Sequence, residues 1–157
     1  MIPLPAYDVD LRRMDAFSAA ELYALLRLRV EVFVVEQECA YQELDGNDDA
    51  ALHLRLLVGG ETAAYARLWR PADAPPRISR VLVAPAHRGR RLGEALMREA
   101  IRACETRFPG APIALSAQSH LERCYRSLGF APTSGEYVED GIPHVDMIRL
   151  AEGGTSR

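Results

Sequence analysis

Apolar positions recur along this chain at two periods, and the changes of period mark its elements. Arg77-Ile-Ser-Arg-Val-Leu-Val83 reads as a strand buried on at least one face, and Pro85 stops it because proline has no N–H to give a ladder. From Leu92 the period turns helical: Leu92, Ala95, Leu96, Ala100 and Ala103 recur at three- and four-residue steps. This helix runs to about Arg107, where Phe108-Pro109-Gly110 ends it. Between strand and helix lies a short basic turn, His87 to Arg91. Upstream, Ser18-Ala-Ala-Glu21 has the form of a capping box and opens a stripe of Leu22, Leu25, Leu26 and Phe33. Arg27 to Val34 also alternates as a strand would, and the cap decides for helix.

The remaining elements are shorter. Ala51 to Val58 and Thr62 to Arg70 are strand-like runs around Gly59-Gly60-Glu61, which predicts an antiparallel hairpin. Pro112 to Ala117 is a short apolar strand. Ser119 is placed to cap a helix over His120 to Ser127, with Gly129 as its stop. Phe130 to Pro132 and His144 to Leu150 should be the last two strands, and Met1 to Tyr7, with its two prolines, is at best an edge strand. This order predicts a mixed α/β fold with helices on both faces of one sheet. A chain of 157 residues makes one domain, here residues 1–150, with 151–157 a small polar tail expected to be flexible.

Composition narrows the partners. Net charge is only −3, so nucleic-acid binding is not implied. Every basic side chain is arginine, 19 in all, which favours forked contacts to phosphate or carboxylate. Cys39, Cys104 and Cys124 form no close pair, which argues against a disulfide framework and against a metal site. No apolar run reaches a membrane span and no leader opens the chain, so a reducing cytoplasm without a membrane partner is the default. Oligomeric state stays open, a homodimer included.

The basic turn carries the chemistry. A helix's first N–H groups lack internal partners and sit at the positive end of its dipole, so they suit a phosphate. Gly89 and Gly93 let the backbone approach an anion, and Arg88, Arg90 and Arg91 add charge. An ordinary solvated connection would not need the proline stop, the glycines and the arginines together. A second candidate is the acidic segment Glu36 to Asp49, with Glu36, Glu38, Glu43, Asp45, Asp48 and Asp49 and no base among them. It reads either as a solvated loop or as a wall whose field favours a cationic amine.

Val83-Ala-Pro-Ala-His-Arg-Gly-Arg-Arg-Leu-Gly93 resembles the coenzyme A diphosphate loop of the GNAT N-acetyltransferase superfamily, Val-x-Pro-x-x-(Arg/Gln)-Gly-x-Gly-x-(Gly/Ala). Arg91 stands where that pattern has its middle glycine, so it must take a backbone conformation compatible with a side chain. Ala117-Gln-Ser-His-Leu-Glu-Arg-Cys-Tyr-Arg-Ser-Leu-Gly-Phe130 and Glu139-Asp-Gly-Ile-Pro-His144 look like the ElaA-like branch, and the resemblance runs from about Ala16 to Leu150.

The resemblance implies a mixed, mostly antiparallel sheet of six to seven strands, splayed between the fourth and fifth, with the pantetheine arm of acetyl-CoA in the gap. As contacts for this cosubstrate it points to Val81, Leu82, Val83, Arg88, Gly89, Arg90, Arg91, Leu92, Gly93, Glu94, Ser116 and Tyr125. An amide within Val81 to Val83 would stabilise the carbonyl oxygen. Tyr125 stands where many members carry the tyrosine that protonates the leaving thiolate. His120, where many relatives have asparagine, is the second catalytic candidate. The segment after the first helix would line the acceptor pocket, with Glu36, Asp45, His53 and His144 as acceptor contacts.

The proton acceptor stays open among Glu31, Glu36, Glu43, Asp45 and Asp49 acting through water, and His53, His120 and His144. A covalent route through Cys124 lacks a Cys-His-acid spacing. The expected activity is acetyl transfer to a primary amine of a small molecule or peptide in a ternary complex. A non-catalytic CoA-binding module is the alternative. A nucleotide loop is disfavoured because the Gly-Lys-Ser/Thr of NTPase loops is missing.

Overall fold

The computed structural model describes residues 2–151, so the expected tail lies, beyond Ala151, outside the described residues. Its strands are β1 (Asp8–Arg13), β2 (Leu52–Val58), β3 (Glu61–Trp69), β4 (Arg77–Val83), β5 (Ile113–Gln118), β6 (Ala131–Pro132), β7 (Tyr137–Glu139) and β8 (Ile142–Arg149). Its helices are α1 (Ala19–Val30), α2 (Leu92–Arg107) and α3 (Glu122–Ser127). The eight strands form one open sheet in the order β1-β2-β3-β4-β5-β8-β6, with β7 on β8. Every pairing is antiparallel except that of β4 with β5.

Local chemistry accounts for the boundaries. Ser18 caps α1 as expected: its Oγ accepts from the Glu21 N–H at 3.1 Å, and the Glu21 carboxylate accepts from the Ser18 N–H at 3.0 Å. Past Val30 the helix continues as a π-helical turn, Glu31–Glu36, so the helical choice for Arg27 to Val34 holds. Gly59 and Gly60 both take positive φ, +58° and +82°, as a two-residue hairpin turn with right-handed strand twist requires.

Three elements depart from expectation. The N-terminal edge strand expected over Met1 to Tyr7 is Asp8–Arg13, and residues 2–7 form no strand; Val9 and Leu11 alternate with polar neighbours in β1. A short β7 precedes β8, joined by Asp140 and Gly141, both at positive φ. Ser119 caps nothing: Ser119–Leu121 is a 3₁₀ turn, α3 starts at Glu122, and the Ser119 Oγ is buried without a partner.

The sheet is covered on both faces. On one, α2 and α3 bury Leu92, Leu96, Ala100 and Tyr125 against Leu54, Ala64, Leu68, Leu115 and Met147. On the other, α1 and its π-helical extension bury Leu25, Val32 and Phe33 against Tyr65 and Leu82. Among the described residues no helix is long and apolar enough to cross a membrane.

Candidate active site

A slot opens where β4 and β5 part. They pair at Arg77↔Ala114, and no further pair follows although both strands continue. The cause is visible on the other edge of β4. Tyr65 pairs with Leu82 and Arg67 with Ser79, so β4 carries one extra residue between those pairs. Arg80 takes the bulge in the left-handed region at φ +53°. The bulge turns β4 away from β5 and leaves the Val81–Val83 edge facing the slot.

The basic turn closes the top of this slot. Pro85–His87 forms a 3₁₀ turn, and Gly89 then takes φ +81°. A Cβ added there would meet nothing within 4 Å, so glycine is needed for its conformation and not for space. Arg91 supplies the N-cap of α2 in the left-handed region, φ +63° and ψ 19°, with no side-chain cap. An arginine thus takes a conformation that favours glycine, and no side chain caps the first N–H groups of α2. These donors and the buried, unpartnered Ser119 Oγ fit a diphosphate and a polar acyl-carrier arm. Arg88 is engaged: its guanidinium holds both Glu36 oxygens at 2.7 and 3.0 Å and donates Nε–H to the Val83 carbonyl at 3.1 Å. The Arg88 guanidinium in turn holds the Glu36 carboxyl below its usual range.

Most of the acidic segment's carboxylates are held by arginines, Glu38 and Asp49 excepted among the described residues. Arg29, fully buried on α1, grips Glu43 through two bonds of 2.7 and 2.6 Å and Asp48 through two of 2.6 and 3.3 Å. Arg67 from β3 binds both Asp45 oxygens at 2.8 Å, and Arg80 reaches Glu43 at 3.0 Å. Three guanidinium groups meet three carboxylates, and the cluster is neutral. Burial would raise the Asp45 and Asp48 carboxyls, but the arginines outweigh it and hold both below the usual value. The expected wall is therefore a clamp joining α1, the loop and the two central strands. Asp45, one of the expected acceptor contacts, serves in it.

His53 is wholly buried and cannot touch an acceptor. Its Nε2 faces the Asp48 carbonyl at 2.9 Å and its Nδ1 the Tyr65 hydroxyl at 2.7 Å. Since a carbonyl only accepts, Nε2 carries the proton. Burial lowers the His53 pKa, and the ring stays neutral.

Tyr125 lies on α3 in the core, its ring edge-on to Phe130 at 6.1 Å. Burial, with a contribution from Cys124, pushes its phenol up to about 12. His120 sits exposed in the 3₁₀ turn before α3. His144, on β8, donates Nδ1–H to the Ile142 carbonyl at 2.7 Å and stacks on Tyr137, which leaves Nε2 with its lone pair. Ser116 faces Arg77 and Asp146 and bonds to both at 2.8 Å. The clamp arginines, Tyr137 and Asp146 were not identified from sequence. Only Arg29 carries a sequence signal: it sits on the apolar stripe of α1, four residues after Leu25.

A family model for an acetyltransferase (GNAT) domain matches residues 16–151. The chain belongs to the GNAT acetyltransferase family. It is 44% identical over 136 residues to the protein ElaA of Escherichia coli K12, covering 84% of this chain and 89% of that one. The crystal structure of E. coli ElaA matches with a TM-score of 0.86 at 40% identity, covering 92% of this chain and 99% of that chain. An acyl-CoA N-acyltransferase from Pseudomonas aeruginosa matches with a TM-score of 0.86 at 41% identity, covering 92% and 100%. The ElaA-like resemblance and the splayed α/β sheet are thus borne out, with eight strands in place of six to seven. In this GNAT chain the turn before α2 is left-handed, with Arg91 where the family pattern has glycine.

Proposed function

We propose that this GNAT chain transfers the acetyl group of acetyl-CoA directly to a primary amine in a ternary complex. The observation that carries the reading is the slot between β4 and β5, with the uncapped N-terminus of α2 at its mouth. The N–H groups of Leu92, Gly93 and Glu94, with Arg90 and Arg91, would take the diphosphate. The β4 edge at Val81 to Val83 would take the pantetheine arm and the carbonyl oxygen. The name of the P. aeruginosa acyl-CoA N-acyltransferase supports the same cosubstrate class.

The chemistry then balances. The ammonium form of the acceptor first loses a proton, and His144 Nε2 is favoured over His53 and His120 because its lone pair is fixed in place. The amine nitrogen attacks the thioester carbon and a C–N bond forms. The C–S bond breaks, and the thiolate takes the Tyr125 phenol proton, which the raised pKa keeps in place at working pH. The nitrogen's second proton leaves to solvent, which also reprotonates Tyr125. Cys39, Cys104 and Cys124 are unpaired, which suits a reducing cytoplasm.

The test is CoA release over a panel of primary amines, with Tyr125→Phe beside the parent. Tyr125→Phe should lower kcat about a hundredfold and leave CoA affinity within twofold. Tight acetyl-CoA binding without turnover on any amine would overturn the reading in favour of a binding module.

A further inference from the structure

On the α1 face of the sheet, three arginines of the inner strands β2 to β4 are each matched to a carboxylate. Arg55 pairs with Asp10 at 2.8 Å, Arg67 with Asp45 at 2.8 Å and Arg80 with Glu43 at 3.0 Å. Arg77, at the head of β4, has no carboxylate within 4 Å among the described residues, and its Nη2 donates to the Ser116 Oγ at 2.8 Å. Ser116 donates in turn to Asp146 Oδ1 at 2.8 Å, and the Tyr137 hydroxyl donates to the same oxygen. Asp146 has no cation within 4 Å among the described residues, and its Oδ2 makes no hydrogen bond there. One unmatched guanidinium and one unmatched carboxylate thus stand either side of a single serine oxygen.

Their position gives the pair a use. Arg77 marks the point where β4 and β5 close, three residues before the bulge at Arg80. An acyl group carried down the slot from the basic turn would point at this end. The roof over the same face is set by Cys39, whose thiol meets the Asp140 carbonyl at 3.3 Å and so joins the acidic loop to the β7–β8 turn. Four of that segment's six carboxylates, Glu36, Glu43, Asp45 and Asp48, are already held by arginines. Arg77 and Asp146, one positive and one negative group, are joined through Ser116 by two bonds of 2.8 Å.

We propose that the acceptor is a zwitterionic α-amino acid, its ammonium group held by Asp146 and its carboxylate by Arg77. This rests on the acyl-transfer reading above and names its substrate class. Ser116 and Tyr137 fix the Asp146 carboxylate, whose open Oδ2 takes an N–H of the amine as charge develops on nitrogen. Arg77 keeps donors open for a carboxylate beside that amine.

The experiment uses the full chain and follows CoA release from acetyl-CoA. It compares L-α-amino acids with the same side chains as α-amides, with their decarboxylated amines, and with diamines. A lost charge-assisted contact should lower kcat/KM about 10- to 100-fold for acceptors without the carboxylate. Arg77→Gln, which removes the guanidinium charge, should collapse that preference mainly through KM. Thermal unfolding of each variant controls for folding. A second arm measures amino-acid binding calorimetrically with CoA present. Equal turnover of amino acids and diamines would overturn the inference and leave the acyl-transfer reading standing. Binding to the parent but not to Arg77→Gln, without CoA release on any amine, would support the site and overturn acyl transfer. Neither binding nor release would overturn both.

Discussion

Arg91 is the residue at which this chain tests its own pattern. An L side chain at φ +63° costs about 1–2 kcal/mol relative to the right-handed region. Its side chain is exposed and makes no cap, so the cost stands without local compensation. Glycine relieves it but gives the unfolded chain more freedom, and the two effects nearly offset. Arg91→Gly should therefore leave the denaturant midpoint almost unchanged. Arg91→Val, with a branched Cβ in the same conformation, should lose a further 1–2 kcal/mol or so at constant m value. CoA titrations should weaken alike in both variants and become less salt-dependent, because each removes the same charge. Equal stability of the valine and glycine variants would show that the turn is not left-handed.

Between elements, the pair Glu36–Arg88 links the end of the π-helical turn to the basic turn before α2, the proposed diphosphate site. Both side chains are about two-fifths exposed, at 42% and 43%, so this is a weak latch that solvent and salt screen. A diphosphate approaching Arg88 competes with the Glu36 carboxylate. Glu36→Gln should raise CoA affinity about two- to fivefold at low salt, with the gain shrinking at high salt. Calorimetric titration at two ionic strengths reads this out, and identical affinities would mean that the latch does not gate the loop. At this scale the sequence was readable wherever one short signal fixes a conformation: the Ser18–Glu21 box, the Gly59-Gly60 turn, the Pro85 stop. It was less readable where the signal is a pairing. β7 is too short to show a period, and only its partner strand defines it. Arg67 and Asp146 look like surface charges until the topology places each beside its partner. His53 reads as an acceptor contact for the same reason, because only the fold shows Tyr65 and Asp48 closing around it.

For the whole molecule, the clamp of Arg29, Arg67 and Arg80 with Glu43, Asp45 and Asp48 sets the response to acid. A buried ion pair adds little net stability, yet removing one partner strands the other's charge. Glu43→Gln should cost about 3–5 kcal/mol, because it leaves the wholly buried Arg29 short of an anion. Titration carries the same point without mutation. Burial alone would raise Asp45 and Asp48, but Arg67 and Arg29 hold both below their unfolded value of about 3.9, so their contribution is present above that pH and is lost as pH falls through the folded values. Burial holds His53 below its unfolded value of about 6.5, so the unfolded chain binds a proton there before the folded one does. Stability therefore declines on acidification from that pH, at no more than about 1.4 kcal/mol per pH unit for this one group. The unfolding midpoint should fall gently below about pH 6.5 and steeply below about pH 4. In His53→Gln, where the amide can still bond Tyr65 and Asp48, the first decline should vanish and the second remain. A parent protein whose midpoint stays level from pH 7 to pH 5 would mean that His53 is protonated in the fold, with a charge lodged between Tyr65 and the arginines of the clamp.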